Sequence, residues 1–201
     1  MWIYIQSALY FINLNGLLRF DWLSYKLLFI RNIYQDQCMF RKATLPISID
    51  DGIQSKVEDA IKFGESFSAD YCFAEPFPRI VIEDFLRVEF LNKILNNFSS
   101  WENWKRRVFE LSYAGKHKRQ VSPTNCNGFS KEFFGFFNLL LIIQFLESLT
   151  IIPALISDPH FLGGGLHETT AGDKLGIQDD FGINDQLHLS RRLKMIIYLN
   201  K

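Results

Sequence analysis

The residues best suited to chemistry lie close together near the end of the sequence. Three consecutive glycines, residues 163–165, precede His167, and the acidic pair Asp179 and Asp180 follows them. A glycine triplet is one ingredient of a phosphate-binding loop, but no Gly-Lys-Ser/Thr follows it and the pattern predicts no helix after it. The triplet is more typical of a hairpin corner. The two aspartates are not expected to act as an acid–base pair, because adjacent residues on a strand point to opposite faces.

Composition disfavours cysteine chemistry and broad electrostatic binding. The chain has 201 residues, and its 22 basic residues balance 22 acidic ones, which argues against a chain built to coat nucleic acid or acidic lipid. Cys38, Cys72 and Cys126 are widely spaced and form no Cys-x-x-Cys pair, so a cysteine zinc site or a disulfide scaffold is not expected. This cysteine usage is typical of a reducing compartment, and we expect a cytoplasmic protein.

Two short basic runs raise the question of nucleic-acid binding. Residues 105–107 follow Trp101 and Trp104, and residues 116–119 lie in a predicted loop. Basic side chains beside packed indoles usually form a solvated edge, and a basic loop is usually exposed surface. We therefore predict no nucleic-acid partner.

The N-terminal region differs in texture from the rest of the chain. Residues 2–18 carry no charge, and residues 22–34 have the spacing of an amphipathic helix. These patterns predict a docked helical hairpin. Two alternatives stay open: a membrane-associated anchor formed by residues 2–34, and a leader foreign to the fold.

A polar linker separates this region from the main domain. Residues 41–68 are rich in mixed charge and turn-forming residues, and a short helix is predicted within them at 57–67. The sequence therefore predicts an N-terminal helical and linker segment over residues 1–69. A single domain is predicted over residues 70–201.

The main domain mixes helices and strands, which predicts an α+β fold. Short strands are predicted at residues 80–82 and 174–178, because the first is β-branched and the second follows a turn signal. Apolar residues at helical spacing predict a helix at 85–98 and a long buried helix at 129–149. Alternating apolar residues predict a strong strand at 193–199.

Two stretches of the chain resemble one enzyme family. Residues 163–201 (GGGLHETTAGDKLGIQDDFGINDQLHLSRRLKMIIYLNK) resemble the iron-binding region of the prolyl-4-hydroxylase-like 2-oxoglutarate/Fe(II) dioxygenases, and residues 76–98 (PFPRIVIEDFLRVEFLNKILNNF) are similar to their lead-in helix. With the turn at 157–167, the resemblance covers about residues 70–201. It implies a partial double-stranded β-helix, a jelly roll with helices packed on one sheet, preceded here by the N-terminal helical segment.

The resemblance also implies a cofactor set and a reaction. Family members hold Fe(II) with two histidines and one carboxylate, bind 2-oxoglutarate and hydroxylate a C–H bond, often of a protein or peptide substrate. Ascorbate is a further cofactor that the resemblance implies. The first histidine and the carboxylate form a His-x-Asp pair, whose alternate residues face one metal. In this chain Gln178 and Asp180 occupy those metal positions, and Tyr198 matches a tyrosine that contacts 2-oxoglutarate.

The departures from the family pattern predict an incomplete and inactive chain. The carboxamide of Gln178 is a weaker iron ligand than imidazole, and no residue up to Lys201 maps to the second histidine or to the basic residue for 2-oxoglutarate. A makeshift site of Asp180 with His167 or His188 is an alternative, although surface or satisfied histidines are more usual. The open hypotheses are an inactive oxygenase-family chain, a non-catalytic interaction domain of the same fold, and a membrane-anchored protein.

Overall fold

The structure is a computed structural model, and it describes residues 2–11, 40–46, 56–99, 119–126, 128–158, 160–161, 164–169, 182–184 and 188–199. Within these residues the chain forms helices and strands in mixed order, so the predicted α+β class is confirmed. The helices are α1 (Val57–Cys72), α2 (Val88–Ser99), α3 (Gly128–Phe137) and α4 (Leu140–Thr150). The strands are β1 (Trp2–Phe11), β2 (Phe40–Lys42), β3 (Val81–Glu83), β4 (Arg119–Val121), β5 (Leu155–Ser157), β6 (Gly165–Thr169), β7 (Ile183–Asn184) and β8 (Leu189–Tyr198).

Six of these strands form one antiparallel sheet. Its order is β4-β6-β1-β8-β7, and β5 also pairs with β1, beside β6 along the same strand. β1 and β8 are the long strands, and they pair from Tyr4 with Tyr198 to Phe11 with Ser190, with an irregularity between Leu9 and Tyr10. The first described element of the chain is therefore the centre of the sheet.

The prediction of an N-terminal helix is wrong for Trp2–Phe11, which forms a strand. The segment WIYIQSALYF is rich in aromatic and β-branched residues, which favour a pleated strand once neighbouring strands are present. A short uncharged run has no polar face to reveal its period, so helix and strand are hard to separate by pattern. Residues 12–39, which complete the proposed hairpin, lie outside the described residues.

The helices α1 and α4 cross at a very close contact. The buried residues of α1 are Ala60, Gly64 and Phe67, which share one helical face. Gly64 lies against Ser148 and the backbone of α4 at Phe145, so a side chain has no room there. The predicted helix at 57–67 is thus confirmed and extends to Cys72, across the proposed boundary between residues 69 and 70.

The predicted long helix at 129–149 is instead two helices. Backbone bonds from Asn138 to Gly135 and from Leu139 to Phe136 tighten the end of α3, and Leu139 is extended. The Asn138 amide donates to the carbonyl oxygen of Asp158 at 3.2 Å, which holds the break against the following loop. No single described helix has the length and hydropathy to cross a membrane. The α3–α4 pair reaches those limits together, with a bend of 43°.

Phenylalanine rings form the centre of the core. Phe133 contacts Phe137 edge-on with ring centroids 4.9 Å apart, and Phe145 contacts Phe63 and Phe85. The same buried cluster includes apolar residues of the sheet, among them Leu166, Ile197 and Leu199. One face of the sheet is therefore packed against the helices.

A small parallel pair, β2 with β3, lies beside the helices. Arg41 of β2 binds Asp70 of α1 through two side-chain bonds of 2.6 and 3.1 Å. Lys42 binds Asp84 at 2.9 Å. The predicted strand at 80–82 is confirmed by β3, and the helix predicted at 85–98 is confirmed by α2.

Candidate functional site

The face of the sheet opposite the helices carries a row of polar residues. Leu166 and Ile197 belong to the core cluster. Because side chains alternate along a strand, the next residues, His167 and Tyr198, point to the other face. His167 is 2% exposed, whereas Tyr198 is 42% exposed.

The register places His167 and Tyr198 in the same row. Tyr4 of the central strand β1 pairs with His167 on one side and with Tyr198 on the other. Directly paired residues project to the same face, so the three positions form one line across three strands. Two strand spacings separate His167 from Tyr198, or about 10 Å. This distance is too long for a direct hydrogen bond, but a small ligand could contact both.

Neighbouring residues of β8 give this face a mixed character. Lys194 and Ile196 alternate with the core residues, so they share the face of Tyr198. Ile196 is buried and Lys194 is half-buried. A cation, a phenol and an imidazole near an apolar side chain are suited to binding a small carboxylate-bearing molecule.

The predicted metal residues lie outside this description. Gln178 and Asp180, as well as Asp179, are not among the described residues. Tyr198, the predicted 2-oxoglutarate contact, is described and lies at the end of β8. The strand predicted at 174–178 is likewise outside the described residues.

The three histidines considered as substitute ligands are placed far apart. His188 precedes β8 at its far end from Tyr198, and His167 is level with Tyr198. Nine strand residues between those levels correspond to roughly 30 Å, so His167 and His188 cannot hold the same ion. The third, His160, is exposed, and its backbone N–H donates to the Asp158 carboxylate at 2.9 Å.

The described cysteines are not activated for nucleophilic chemistry. Burial raises the pKa of Cys126 to about 12, and burial also raises the pKa of Cys72. A thiol with a raised pKa holds its proton at neutral pH and is a poor nucleophile. Burial similarly raises the pKa of Tyr71 to about 12, with Cys72 adding to the rise and Arg192 opposing it.

The described residues do not by themselves supply an iron site. Among them, no group of three or more histidine, cysteine, aspartate or glutamate side chains could hold a metal ion. The donor set that the family resemblance points to, at positions 178 and 180, contains one carboxylate and one carboxamide. That pair is a weak match to Fe(II), which favours imidazole and carboxylate together.

Sequence reasoning missed the part that the N-terminal strand plays in this site. Tyr4 lies between His167 and Tyr198 in the register, but the segment was predicted to be a helix outside the domain. A signal was present in the alternating isoleucines, Ile3 and Ile5, between aromatic residues. The strand partners themselves come from residues more than 150 positions later, which no local pattern reveals.

The fold and site define an α+β protein with a polar row on the open side of an antiparallel sheet. A search of family models, of curated proteins and of solved structures found no match to this chain.

Proposed function

We propose that this chain is a 2-oxoglutarate/Fe(II) oxygenase-family protein with a partial jelly roll. The family reaction is prolyl-hydroxylase-like hydroxylation of a C–H bond in a protein or peptide substrate, with Fe(II), 2-oxoglutarate and ascorbate as cofactors. The observation that carries the proposal is the row that contains Tyr198 on the face opposite the helices. A ligand bound there has a phenol at one end of the row and an imidazole, His167, at the other.

The arrangement of the strands supports this proposal. β6 and β8 both lie in the stretch that resembles the family, and both belong to one antiparallel sheet. Their shared core face packs with the phenylalanines of α3 and α4, which leaves the opposite face for a ligand. A jelly roll likewise binds its ligand between sheets, on faces that helices do not cover.

The role of Tyr198 can be stated in terms of its own chemistry. Its hydroxyl is an uncharged donor that can bind a ligand carboxylate, and Lys194 on the same face adds a positive charge. Together they would orient a small dicarboxylate such as 2-oxoglutarate along the sheet. Ile196 between them excludes water from one side of the ligand, because it is apolar and buried.

Gln178 leads us to expect that the wild-type chain is inactive. An uncharged carboxamide cannot replace the electron donation of imidazole, so metal affinity at this position falls. Iron, when bound in this family, supplies the oxidising chemistry. The residues of this chain supply the binding and orientation of the organic acid.

The decisive experiment restores the family residue at position 178. Binding of Mn(II), a redox-silent substitute for Fe(II), is measured by calorimetry with and without 2-oxoglutarate for the wild type and for Gln178→His. We expect Gln178→His to bind Mn(II) at least about tenfold more tightly, which corresponds to about 1.4 kcal/mol. Succinate formation with Fe(II) and 2-oxoglutarate provides a second readout.

Two further variants make the test specific. Asp180→Ala in the Gln178→His background removes the proposed carboxylate, so the gain in metal affinity should disappear. Tyr198→Phe keeps the ring and loses the hydroxyl, so it should weaken the effect of 2-oxoglutarate but not binding of Mn(II) alone. A gain that survives Asp180→Ala, or no gain at all, contradicts the proposal.

A non-catalytic interaction domain of the same fold is the second candidate, and Gln178 favours it. Such a domain keeps the sheet and loses the metal. The wild type should then show no change in melting temperature with Mn(II) and 2-oxoglutarate. A ligand at one hundred times its Kd stabilises a protein by about 2.7 kcal/mol, so a clear rise in melting temperature would favour the enzyme instead.

A further inference from the structure

The position of β1 in the sheet separates two strands that otherwise have no described partner between them. β1 pairs with β6 over Trp2–Gln6 and with β8 over Tyr4–Phe11. Among the described strands, β6 and β8 pair with β1 and not with each other. Their edges therefore lie two strand spacings apart, or about 10 Å, which leaves room for a single extended chain.

We propose that the space between β6 and β8, here called the strand slot, is a binding site for an extended peptide, and that Trp2–Phe11 occupies it as an internal ligand. The partner that fits it is an uncharged strand rich in β-branched and aromatic residues, running antiparallel to both neighbours. Such a strand gains main-chain hydrogen bonds on two sides, whereas strand addition at an ordinary sheet edge gains them on one.

The chemistry of Trp2–Phe11 argues for this occupant. The segment carries no charged residue and contains the tryptophan, isoleucine, tyrosine and phenylalanine types that favour strands. Ile5 pairs with Leu166 and with Ile197, both of which belong to the buried core. An incoming peptide therefore needs an apolar residue at the position of Ile5.

The connectivity of the chain allows the internal strand to be replaced. β1 is followed by 28 residues, 12–39, before β2 begins. A chain of that length can extend to about 90 Å, so β1 can leave the slot without displacing β2. All described pairings of β1 are to β5, β6 and β8, so its departure leaves the pairing of β2 with β3 unaffected.

The first test asks whether Trp2–Phe11 occupies the slot in the register described. Ser7 pairs with Met195, and directly opposed residues place their Cβ atoms about 4.5–5.5 Å apart, close to the range for a disulfide. The full-length double variant Ser7→Cys/Met195→Cys should form an intrachain disulfide, located by mass spectrometry. The matched control Ser7→Cys/Lys194→Cys should not, because position 194 points to the opposite face.

The second test asks whether the slot accepts the strand from outside. A fluorescent peptide with the sequence of Trp2–Phe11 and cysteine at position 7 is added to the full chain carrying Ile5→Pro and Met195→Cys. Proline in a central strand removes a ladder hydrogen bond, which weakens the internal strand. We expect the peptide to bind this chain about tenfold more tightly than the chain with Ile5 intact, and to cross-link to position 195. The same peptide with proline at position 5 should not bind.

The outcomes separate the proposal from its alternatives. Failure of the intrachain disulfide between positions 7 and 195 overturns it, as does equal cross-linking of the peptide to cysteines at 194 and 195. If the Ile5→Pro chain loses its circular dichroism signal, the peptide is instead used at saturating concentration against Met195→Cys with Ile5 intact. Cross-linking at 195 then supports the slot, and its absence overturns it. None of these readouts depends on metal binding, so they are independent of the proposed oxygenase function.

Discussion

The crossing of α1 and α4 offers a sharp test of the fold, because it depends on one missing side chain. A Cβ atom at Gly64 would overlap Ser148 Oγ and the backbone carbonyl oxygen of Phe145, and it would lie 3.0 Å from the backbone nitrogen of Leu149. Two of these three atoms belong to the backbone and cannot rotate away. Gly64→Ala therefore has to separate the two helices.

The size of the effect follows from two opposing terms. Overpacking a well-packed contact costs about 1–3 kcal/mol, and the backbone clash places this site in the upper half of that range. Alanine is favoured over glycine in a helix by about 1 kcal/mol, which offsets part of the cost. We expect Gly64→Ala to lower the free energy of unfolding by about 1–2 kcal/mol, which for a chain of this size lowers the melting temperature by roughly 4 °C.

A matched control is available in α3. Gly135 is exposed in that helix, and a Cβ atom there would meet nothing within 4 Å. Gly135→Ala should therefore raise the free energy of unfolding by up to about 1 kcal/mol. Both variants are measured by urea titration followed by circular dichroism. If Gly64→Ala stabilises the chain as Gly135→Ala does, the close crossing of α1 and α4 is refuted.

Three other variants probe the core, a helix end and an ion pair. Phe133→Ala empties a fully buried site and should cost about 3–5 kcal/mol in guanidinium titration; a cost under about 1 kcal/mol contradicts the described core. Glu147→Ala leaves the Leu155 N–H without its carboxylate acceptor at 2.8 Å and should cost about 1–3 kcal/mol, read as faster hydrogen exchange at that amide; unchanged exchange contradicts the contact. The Arg41 hydrogen bond lowers the pKa of Asp70 below its ordinary value of 3.8, so this pair stabilises the fold above that pH and the contribution is lost as pH falls through the lower folded value. Asp70→Asn should flatten the acid limb of a melting-temperature profile, and an unaltered limb contradicts the pairing.

The candidate site could be predicted from the sequence only in part. Tyr198 and His167 lie in recognisable strand patterns, so their local structure could be inferred. That the two residues share one row depends on Tyr4, which pairs with both. Strand order is decided by long-range pairing, and local propensity carries little information about it.

The break between α3 and α4 shows the same division on a smaller scale. The apolar pattern over residues 129–149 correctly predicts helix and burial. The pattern did not show that the helix ends at Asn138, because the amide of that residue binds the carbonyl of Asp158, twenty positions later. An asparagine inside a helical pattern is compatible with either outcome until its partner is known.

The sequence by itself determined the α+β class, the helices α1 and α2, the strand β8 and the apolar stretch that fills the core. These features follow from periodicity, which is a local property of the chain. Only the tertiary structure decided that Trp2–Phe11 is a central strand, that Gly64 is a contact point, and that His167, Tyr4 and Tyr198 are aligned. Each of these depends on backbone pairing or close approach between segments distant in sequence, where the partner rather than the local residues decides the conformation.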